Sequence, residues 1–247
     1  MTRETLLEVH GLCKHFGGVI ALDDVDFVVN KGDVLGVTGP NGTGKTTLFN
    51  VIAGHLPPTS GEIFYEGTQI TRQPPEWRVR AGIARTFQKT RLFYGLSVEE
   101  NVRLGCYVHE PLGIKHVIFG TTRNEQSTQE ERVNHILEMT GLDRYRSYPG
   151  SELSYGYQRR LEVAIALGSN PKLLLLDEPL GGQSPQSMTE MGQLIKSLQG
   201  QGLTIMMIEH RMESIVSYCD RLLVMRGGRI VIPHSPRGGS RCSELKI

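Results

Sequence analysis

The chain has 247 residues, a length that fits one large domain or two small ones. Hydrophobic residues make up 38% and charged residues 21%, which excludes collagen-like, disordered and mini-protein classes and predicts a folded soluble protein. Lysine plus arginine (27) nearly balances aspartate plus glutamate (26), so the formal net charge of +1 argues against nucleic acid as the main partner.

Cysteine spacing and the apolar runs bear on the compartment. The four cysteines, at positions 13, 106, 219 and 242, are too far apart in sequence for a metal or redox pair, which favours a reducing cytoplasm. The first ten residues lack the apolar region of a secretory signal, and no apolar run approaches the ~20 residues that cross a bilayer. We therefore expect a cytoplasmic chain, and any membrane part of its process must come from another subunit.

The N-terminal portion reads as β-rich. Short apolar runs with polar breaks predict strands over 6–10, 21–29 and 34–38 and a hairpin over 61–70. The helical spacing of Leu48, Val51 and Ile52 predicts a helix over 46–55. The third strand leads directly into a glycine-rich loop, so this portion contains a strand, a loop and a helix in succession.

The pattern of apolar residues changes from strand-like to helical between about residues 75 and 149. Helical spacing over 98–104 and 130–140 predicts an inserted helical subdomain, and the segment 108–129 between them reads as irregular. From residue 151 the pattern alternates again, with helices over 157–168, 187–200 and 212–219 and strands over 172–177, 203–208, 221–225 and 229–232. Strands that alternate with helices predict a parallel sheet covered on both faces.

The glycine-rich loop satisfies the pattern GxxxxGK[ST] between a predicted strand and a predicted helix. Its backbone N–H groups would surround phosphate oxygens, Lys45 would reach the β- and γ-phosphates of ATP, and the Thr46 hydroxyl would ligate Mg²⁺. The predicted ATP-binding residues here are Gly39, Pro40, Asn41, Gly42, Thr43, Gly44, Lys45, Thr46 and Thr47.

Two acids follow the apolar run Leu173–Leu176. Asp177 and Glu178 would emerge at the carboxyl edge of the sheet, beside the phosphate loop. Asp177 is then suited to hold Mg²⁺, and Glu178 to polarise the attacking water as general base. The alternative is an acidic cap between a strand and a loop.

A third motif gives these features a family. The segment Leu153-Ser154-Tyr155-Gly156-Tyr157-Gln158 is similar to the LSGGQ signature and precedes the Asp177 strand, so the chain resembles the ATP-binding subunit of an ABC transporter. The resemblance implies that Ser154 and Gly156 bind the γ-phosphate of ATP held by a second ATP-binding subunit, the same or a homologous chain. An N-cap serine is the alternative for Ser154.

The remaining landmarks of the family occur in order. The resemblance implies that Phe16 stacks on adenine, with Ala21 lining the same pocket, although Phe16 could instead be a core residue at a strand end. It also implies that Gln88 senses Mg²⁺ and the catalytic water, and that His210 contacts the γ-phosphate.

The resemblance implies an α/β fold of the P-loop NTPase type with an N-terminal antiparallel β portion, a mainly parallel sheet core and an inserted helical subdomain. We expect a single ABC domain over 1–247, with the core over 5–88 and 160–232, the helical signature subdomain over 89–159, and an atypical tail over 233–247 that could be disordered.

Finer motifs, including Ala84-Arg85-Thr86-Phe87-Gln88, are most similar to the LivG-type subunit of branched-chain amino-acid importers. This implies integral membrane permease subunits as partners, a solute-binding protein acting indirectly, and a peripheral position on the cytoplasmic face of the inner membrane. Urea and amide importers, the lipopolysaccharide-export ATPase and soluble ABC ATPases remain alternatives.

Two departures from the family pattern stand out. Tyr157 replaces the signature glutamine, and Ser184 replaces the aspartate or asparagine of the D-loop, the segment 182–185 that couples the two nucleotide sites in the family. Coupling between the sites is expected to be weaker as a result.

Overall fold

The computed structural model describes residues 4–86, 92–107, 123–210 and 212–234. Its strands are β1 Thr5–Phe16, β2 Val19–Asn30, β3 Val34–Thr38, β4 Ser60–Tyr65, β5 Thr68–Gln69, β6 Ile83–Arg85, β7 Leu173–Asp177, β8 Thr204–Ile208, β9 Arg221–Arg226 and β10 Arg229–His234. Its helices are α1 Lys45–Ile52, α2 Pro75–Ala81, α3 Val98–Cys106, α4 Arg123–Thr140, α5 Tyr155–Gly168, α6 Pro185–Gly200 and α7 Met212–Tyr218, with short 3₁₀ turns at Asp143–Tyr145 and Gly150–Glu152.

A six-stranded sheet in the order β10-β9-β3-β8-β7-β6 forms the centre of the protein. Its neighbours from β9 to β6 pair in parallel, and β10 pairs antiparallel with β9. Strands β3, β7 and β8 are buried along their whole length, because both faces of the sheet are covered. The predicted parallel sheet is confirmed.

The two faces of this sheet carry different layers. Leu173 and Leu175 face a core shared with α1 and a four-stranded antiparallel sheet of order β2-β1-β4-β5. Leu174 and Leu176 face the second core, to which α3, α4, α5 and α6 contribute. The alternation along one strand follows from the two-residue period of β-structure. The P-loop NTPase architecture with an inserted helical subdomain is therefore present.

Three local features differ from what the sequence pattern indicates. Strand β6 was not anticipated, because three residues are too few to show a period. Helix α4 begins at Arg123, within the segment 108–129 that reads as irregular, and residues 108–122 lie outside the described residues. Strand β10 continues through Pro233 and His234, which were assigned to the tail. Because β10 is an edge strand, the missing N–H of Pro233 is tolerated there.

Within the described ranges, no helix combines the length and the apolar character needed to cross a membrane.

Candidate functional site

The phosphate loop lies between the end of β3 and the start of α1, as the motif requires. Two of its glycines have no room for a side chain. A Cβ on Gly44, whose φ is 98°, would lie 2.2 Å from the Ala21 carbonyl oxygen, and one on Gly39 would lie 2.2 Å from that of Met225. The glycines therefore let the loop pack tightly against β2 and β9 and bring its backbone N–H groups to the N-terminus of α1.

Lys45, the first residue of α1, folds back over this loop. Its Nζ donates to the carbonyl oxygens of Gly39 at 2.7 Å and Pro40 at 2.8 Å. Burial lowers the pKa of Lys45, and the negative charges of Glu178 and Asp177 oppose that shift. The ammonium group is thus held where phosphate oxygens could replace the two carbonyls as acceptors.

Glu178 follows β7 in a strained conformation. Its φ is 53°, in the left-handed region that a residue with a side chain rarely adopts, and its N–H donates to the Ile208 carbonyl at the end of β8. The Glu178 carboxylate lies 2.6 Å from Nε2 of His210. The backbone of β7 and β8 therefore brings an acid and a histidine together at the carboxyl edge of the sheet.

Asp177 is buried beside them and is suited to a metal ion. Its Oδ2 accepts a hydrogen bond from Arg85 at 2.9 Å, and its buried Oδ1 has no hydrogen-bond partner among the described residues. Burial raises the pKa of Asp177, while the Arg85 guanidinium opposes that shift. An unpaired carboxylate oxygen together with the exposed Thr46 is an all-oxygen set of the kind that Mg²⁺ prefers, so these residues fit the ion.

The phosphate loop, Glu178 and His210 line one cleft of about 490 Å³, and the buried Asp177 is not among its lining residues. The lining includes Val19 and Ile20, which were not anticipated, and nine of the residues proposed from sequence: Ala21, Asn41, Gly42, Gly44, Lys45, Thr46, Thr47, Glu178 and His210. Gln88 lies outside the described residues. The cleft therefore combines a phosphate loop with an acid and a histidine.

Phe16 is exposed at the tip of the β1–β2 hairpin, with 46% of its surface accessible. It is not a core residue, contrary to the alternative considered from sequence. The Lys14 ammonium lies 5.0 Å from its ring centroid, and Val19, Ile20 and Ala21 on the adjoining strand line the cleft. The hairpin thus offers an apolar margin to this cleft.

The signature residues lie apart from the cleft of their own chain, whose lining does not include them. Ser154 is the N-cap of α5, but its side chain makes no capping hydrogen bond and is exposed. A Cβ on Gly156 would lie 2.8 Å from the Ser187 hydroxyl, so the start of α5 packs closely against α6. The Ser154 hydroxyl and the N-terminus of α5 remain available to an external anion.

Both departures from the family pattern have a structural place. The Tyr157 ring packs within the chain, 4.6 Å from the Tyr145 ring centroid and beneath the Arg160 guanidinium. The Ser184 hydroxyl accepts a hydrogen bond from the Ser187 N–H and so caps α6. Tyr157 therefore belongs to the helical packing, and Ser184 provides the cap that an aspartate or asparagine also would.

Two charged residues of the site were not anticipated from sequence. Arg85 ends β6 and contacts Asp177, and Glu209 follows β8 in a buried position where it accepts a hydrogen bond from the Leu180 N–H. Burial raises the pKa of Glu209 to about 7. The signal available in the sequence was a charged residue directly after an apolar strand, since such a residue meets the others at the sheet edge.

The family model for the ABC transporter matches residues 22–181. Two high-affinity branched-chain amino acid transport ATP-binding proteins are each 35% identical to this chain. For BraF of Pseudomonas aeruginosa the alignment covers 94% of this chain and 92% of BraF. For LivG of Escherichia coli K12 it covers 91% of this chain and 89% of LivG. The lipopolysaccharide export system ATP-binding protein LptB of Escherichia coli K12 is 31% identical, and the alignment covers 93% of this chain and 90% of LptB.

The fold is also that of solved cassettes. The ADP conformation of MJ1267, an ATP-binding cassette of an ABC transporter, superposes with a TM-score of 0.80 at 32% identity, over 94% of this chain and 91% of that one. The resemblance inferred from the phosphate loop, the paired acids and the signature segment is thereby confirmed. The chain belongs to the ABC transporter family and is one of its ATP-binding ATPases.

Proposed function

We propose that this chain hydrolyses Mg-ATP to drive solute transport, and that the solute is a branched-chain amino acid or a related amino acid or amide taken up by the cell. The observation that carries hydrolysis is the convergence of Lys45, Glu178 and His210 on one cleft. Identity of 35% with BraF and LivG over more than nine-tenths of the chain supports the solute class.

The residues of the cleft divide the reaction between binding and proton transfer. The loop N–H groups and Lys45 would hold the β- and γ-phosphates. Glu178 would accept a proton from the attacking water as its oxygen bonds to the γ-phosphorus and the bond to the ADP oxygen breaks, leaving ADP and phosphate. His210, already 2.6 Å from the Glu178 carboxylate, would orient that base and contact the γ-phosphate.

Three residues would hold Mg²⁺: Thr46, Asp177 and Gln88. When bound, the ion would neutralise charge on the phosphate oxygens. Asp177 contributes a buried, unpaired carboxylate oxygen, and Thr46 a hydroxyl on the cleft lining. Gln88 keeps its proposed contact with the metal and the water from the family resemblance.

A second ATP-binding subunit would complete the site. Ser154 and Gly156 lie outside the cleft of their own chain, and the Ser154 hydroxyl is not used as a cap. We propose that they bind the γ-phosphate held by the other subunit, while Phe16 and Ala21 contact the adenine of their own. The unused Ser154 hydroxyl supports this role better than a purely structural one.

Membrane subunits would dock on the helical subdomain. Phe93 and Tyr94 are 59% and 48% exposed there, beside the buried Leu92. The buried Asn101 side chain accepts from the Phe93 N–H and donates to the Phe93, Leu96 and Ser97 carbonyls, so the loop has a fixed shape. A permease helix seated here would place the chain on the cytoplasmic face of the membrane, with a solute-binding protein acting indirectly through the permease.

Hydrolysis is tested by Glu178→Gln. The amide cannot serve as base, so we expect ATPase turnover to fall by about 10²- to 10⁴-fold while ATP affinity changes little. Glu152→Gln, at an exposed acid, serves as the matched control. Turnover at the wild-type rate in Glu178→Gln would contradict the assigned base.

The same variant tests the second subunit. Light scattering with Mg-ATP should show that Glu178→Gln is a dimer.

The membrane role is tested by Phe93→Glu, with Val231→Glu as a matched charge substitution at another exposed apolar residue, 50% accessible on β10. We expect Phe93→Glu to keep the ATPase rate of the isolated subunit but to lose co-purification with the permease subunits and uptake of labelled leucine. Val231→Glu should retain all three. Uptake of urea or an amide without leucine uptake would change the solute, and co-purification with lipopolysaccharide-export subunits would favour the LptB-like alternative.

A further inference from the structure

A buried ion pair joins three elements behind the proposed metal site. Arg85 Nη2, at the end of β6, lies 2.9 Å from Asp177 Oδ2, at the end of β7, and the two side chains are 5% and 0% exposed. Arg85 Nη1 donates to Asn50 Oδ1 of α1 at 2.6 Å. One guanidinium therefore ties the carboxylate to the helix that starts at the phosphate loop.

This contact divides the work of the Asp177 carboxylate. Oδ2 is occupied by Arg85, while Oδ1 is buried without a hydrogen-bond partner among the described residues. The Asp177 N–H donates to the Thr86 hydroxyl at 3.3 Å, so the backbone is also tied to the end of β6. A carboxylate held at one oxygen cannot rotate freely, and it presents the other in a defined direction.

We propose that Arg85 is the positioning residue of the metal site: it fixes Asp177 through Oδ2 so that Oδ1 is oriented toward a divalent cation or its water. The inference rests on the proposed function, since it requires that the chain bind a metal–nucleotide complex. A lysine would keep the charge but not the two-pronged contact that reaches both Asp177 and Asn50.

A second buried arginine provides the matched control. Arg78 is 1% exposed and donates to the Val51 and Ile52 carbonyls at the end of α1, the helix that carries Asn50. Its remaining donors reach the carbonyls of Gln73, Ile70 and Thr71, so its described contacts are all to backbone oxygens and none is to Asp177. Loss of Arg78 should weaken the fold near α1 without acting on the metal ligand.

The test measures metal binding directly. Mn²⁺ is titrated into a mixture of ADP and the purified chain, with the chain in excess over ADP. Free Mn²⁺ is followed by electron paramagnetic resonance. ADP affinity in EDTA is measured in parallel. For Arg85→Met we expect Mn²⁺ affinity to fall about 10- to 100-fold, with ADP affinity in EDTA changed by less than about threefold. The Mn²⁺ affinity of Arg85→Lys should lie between that of Arg85→Met and that of wild type. Arg78→Met should have a lower melting temperature but the wild-type Mn²⁺ affinity.

Each outcome decides something. Unchanged Mn²⁺ affinity in Arg85→Met, or an equal loss of ADP affinity in EDTA, overturns the inference. If Arg85→Met does not fold, Arg85→Lys decides, since Mn²⁺ affinity at the wild-type level would show that the two-pronged contact has no part in metal binding. A wild-type chain that binds no Mn²⁺ with ADP contradicts the proposed function itself, whereas wild-type binding retained by the Arg85 variants contradicts the positioning role alone.

Discussion

The parallel sheet has one cleft at the carboxyl ends of its strands and another at the amino ends, and the lysines in the two clefts have different partners. The cleft at the carboxyl edge, of about 490 Å³, holds the phosphate loop, Glu178 and His210. The cleft at the amino edge is larger, about 550 Å³, and is lined by Lys31, Glu66 and Lys172 among others. Volume alone would therefore select the wrong edge.

The difference lies in how the lysines are paired. At the amino edge Lys172 lies 2.7 Å and Lys31 3.7 Å from the two carboxylate oxygens of Glu66, so both cations have an anion. At the carboxyl edge the two acids have basic partners of their own, but Lys45 donates to two neutral carbonyls, and Asp177 Oδ1 has no hydrogen-bond partner among the described residues. A lysine held by neutral acceptors and a carboxylate oxygen without a partner are groups that a charged ligand can satisfy.

The largest expected effect concerns Glu209, the buried acid at the carboxyl edge. Its pKa is raised to about 7 from an ordinary 4.5, chiefly by burial and secondarily by the charge of Glu178, against the hydrogen bonds from Leu180 and His210 N–H. Below about pH 4.5 the group is protonated in both the folded and unfolded states. As the pH rises toward 7 the unfolded chain loses the proton first, so the stability associated with the protonated group is progressively lost.

Glu209→Gln removes this titration and keeps an acceptor for the Leu180 N–H. The free energy of unfolding of wild type minus that of Glu209→Gln should fall by about 3 kcal/mol between about pH 4.5 and pH 8, as measured by urea unfolding. The exposed Glu152→Gln should show no such trend. A difference that does not vary with pH would mean that Glu209 is ionised in the folded state throughout this range.

The second prediction compares one lysine from each edge. Lys45→Ala should weaken ATP binding by about 10- to 100-fold, because a charge-assisted contact to phosphate is lost. Lys172→Ala, which removes an equal charge from the amino edge, should change ATP affinity by less than about twofold. Titration of a fluorescent ATP analogue measures both. Equal losses in the two variants would indicate a long-range effect of net charge instead of a local phosphate contact.

The two edges also separate what the sequence could predict from what it could not. The phosphate loop and the acids after β7 were predictable, because a strand followed by a short loop determines where Lys45 and Asp177 must lie. Arg85 was not singled out, since β6 has only three residues and pairs with residues 90 positions later in the chain: Ile83 pairs with Leu173 and Arg85 with Leu175. Contacts between distant segments depend on tertiary packing, which a local pattern does not contain.

The smallest effect is expected from the ion pairs of the amino edge. The Lys172 side chain is 57% exposed and that of Glu66 32%, so water and salt screen their attraction. Glu66→Gln should therefore change the free energy of unfolding by less than about 1 kcal/mol, and the change should shrink as salt is raised. The variant also removes the carboxylate that pairs with Lys172 at 2.7 Å, whereas Lys31 keeps Glu4 at 2.6 Å, so one cation beside the cleft loses its anion. The comparison is made in the Lys45→Ala background, so that the phosphate loop contributes little to binding. If phosphate or ATP raises the melting temperature of the Glu66→Gln, Lys45→Ala double variant more than that of Lys45→Ala alone, Glu66 is what keeps the amino edge from binding anions. If ligand stabilisation is the same with and without Glu66, pairing of the lysine is not the property that distinguishes the two clefts.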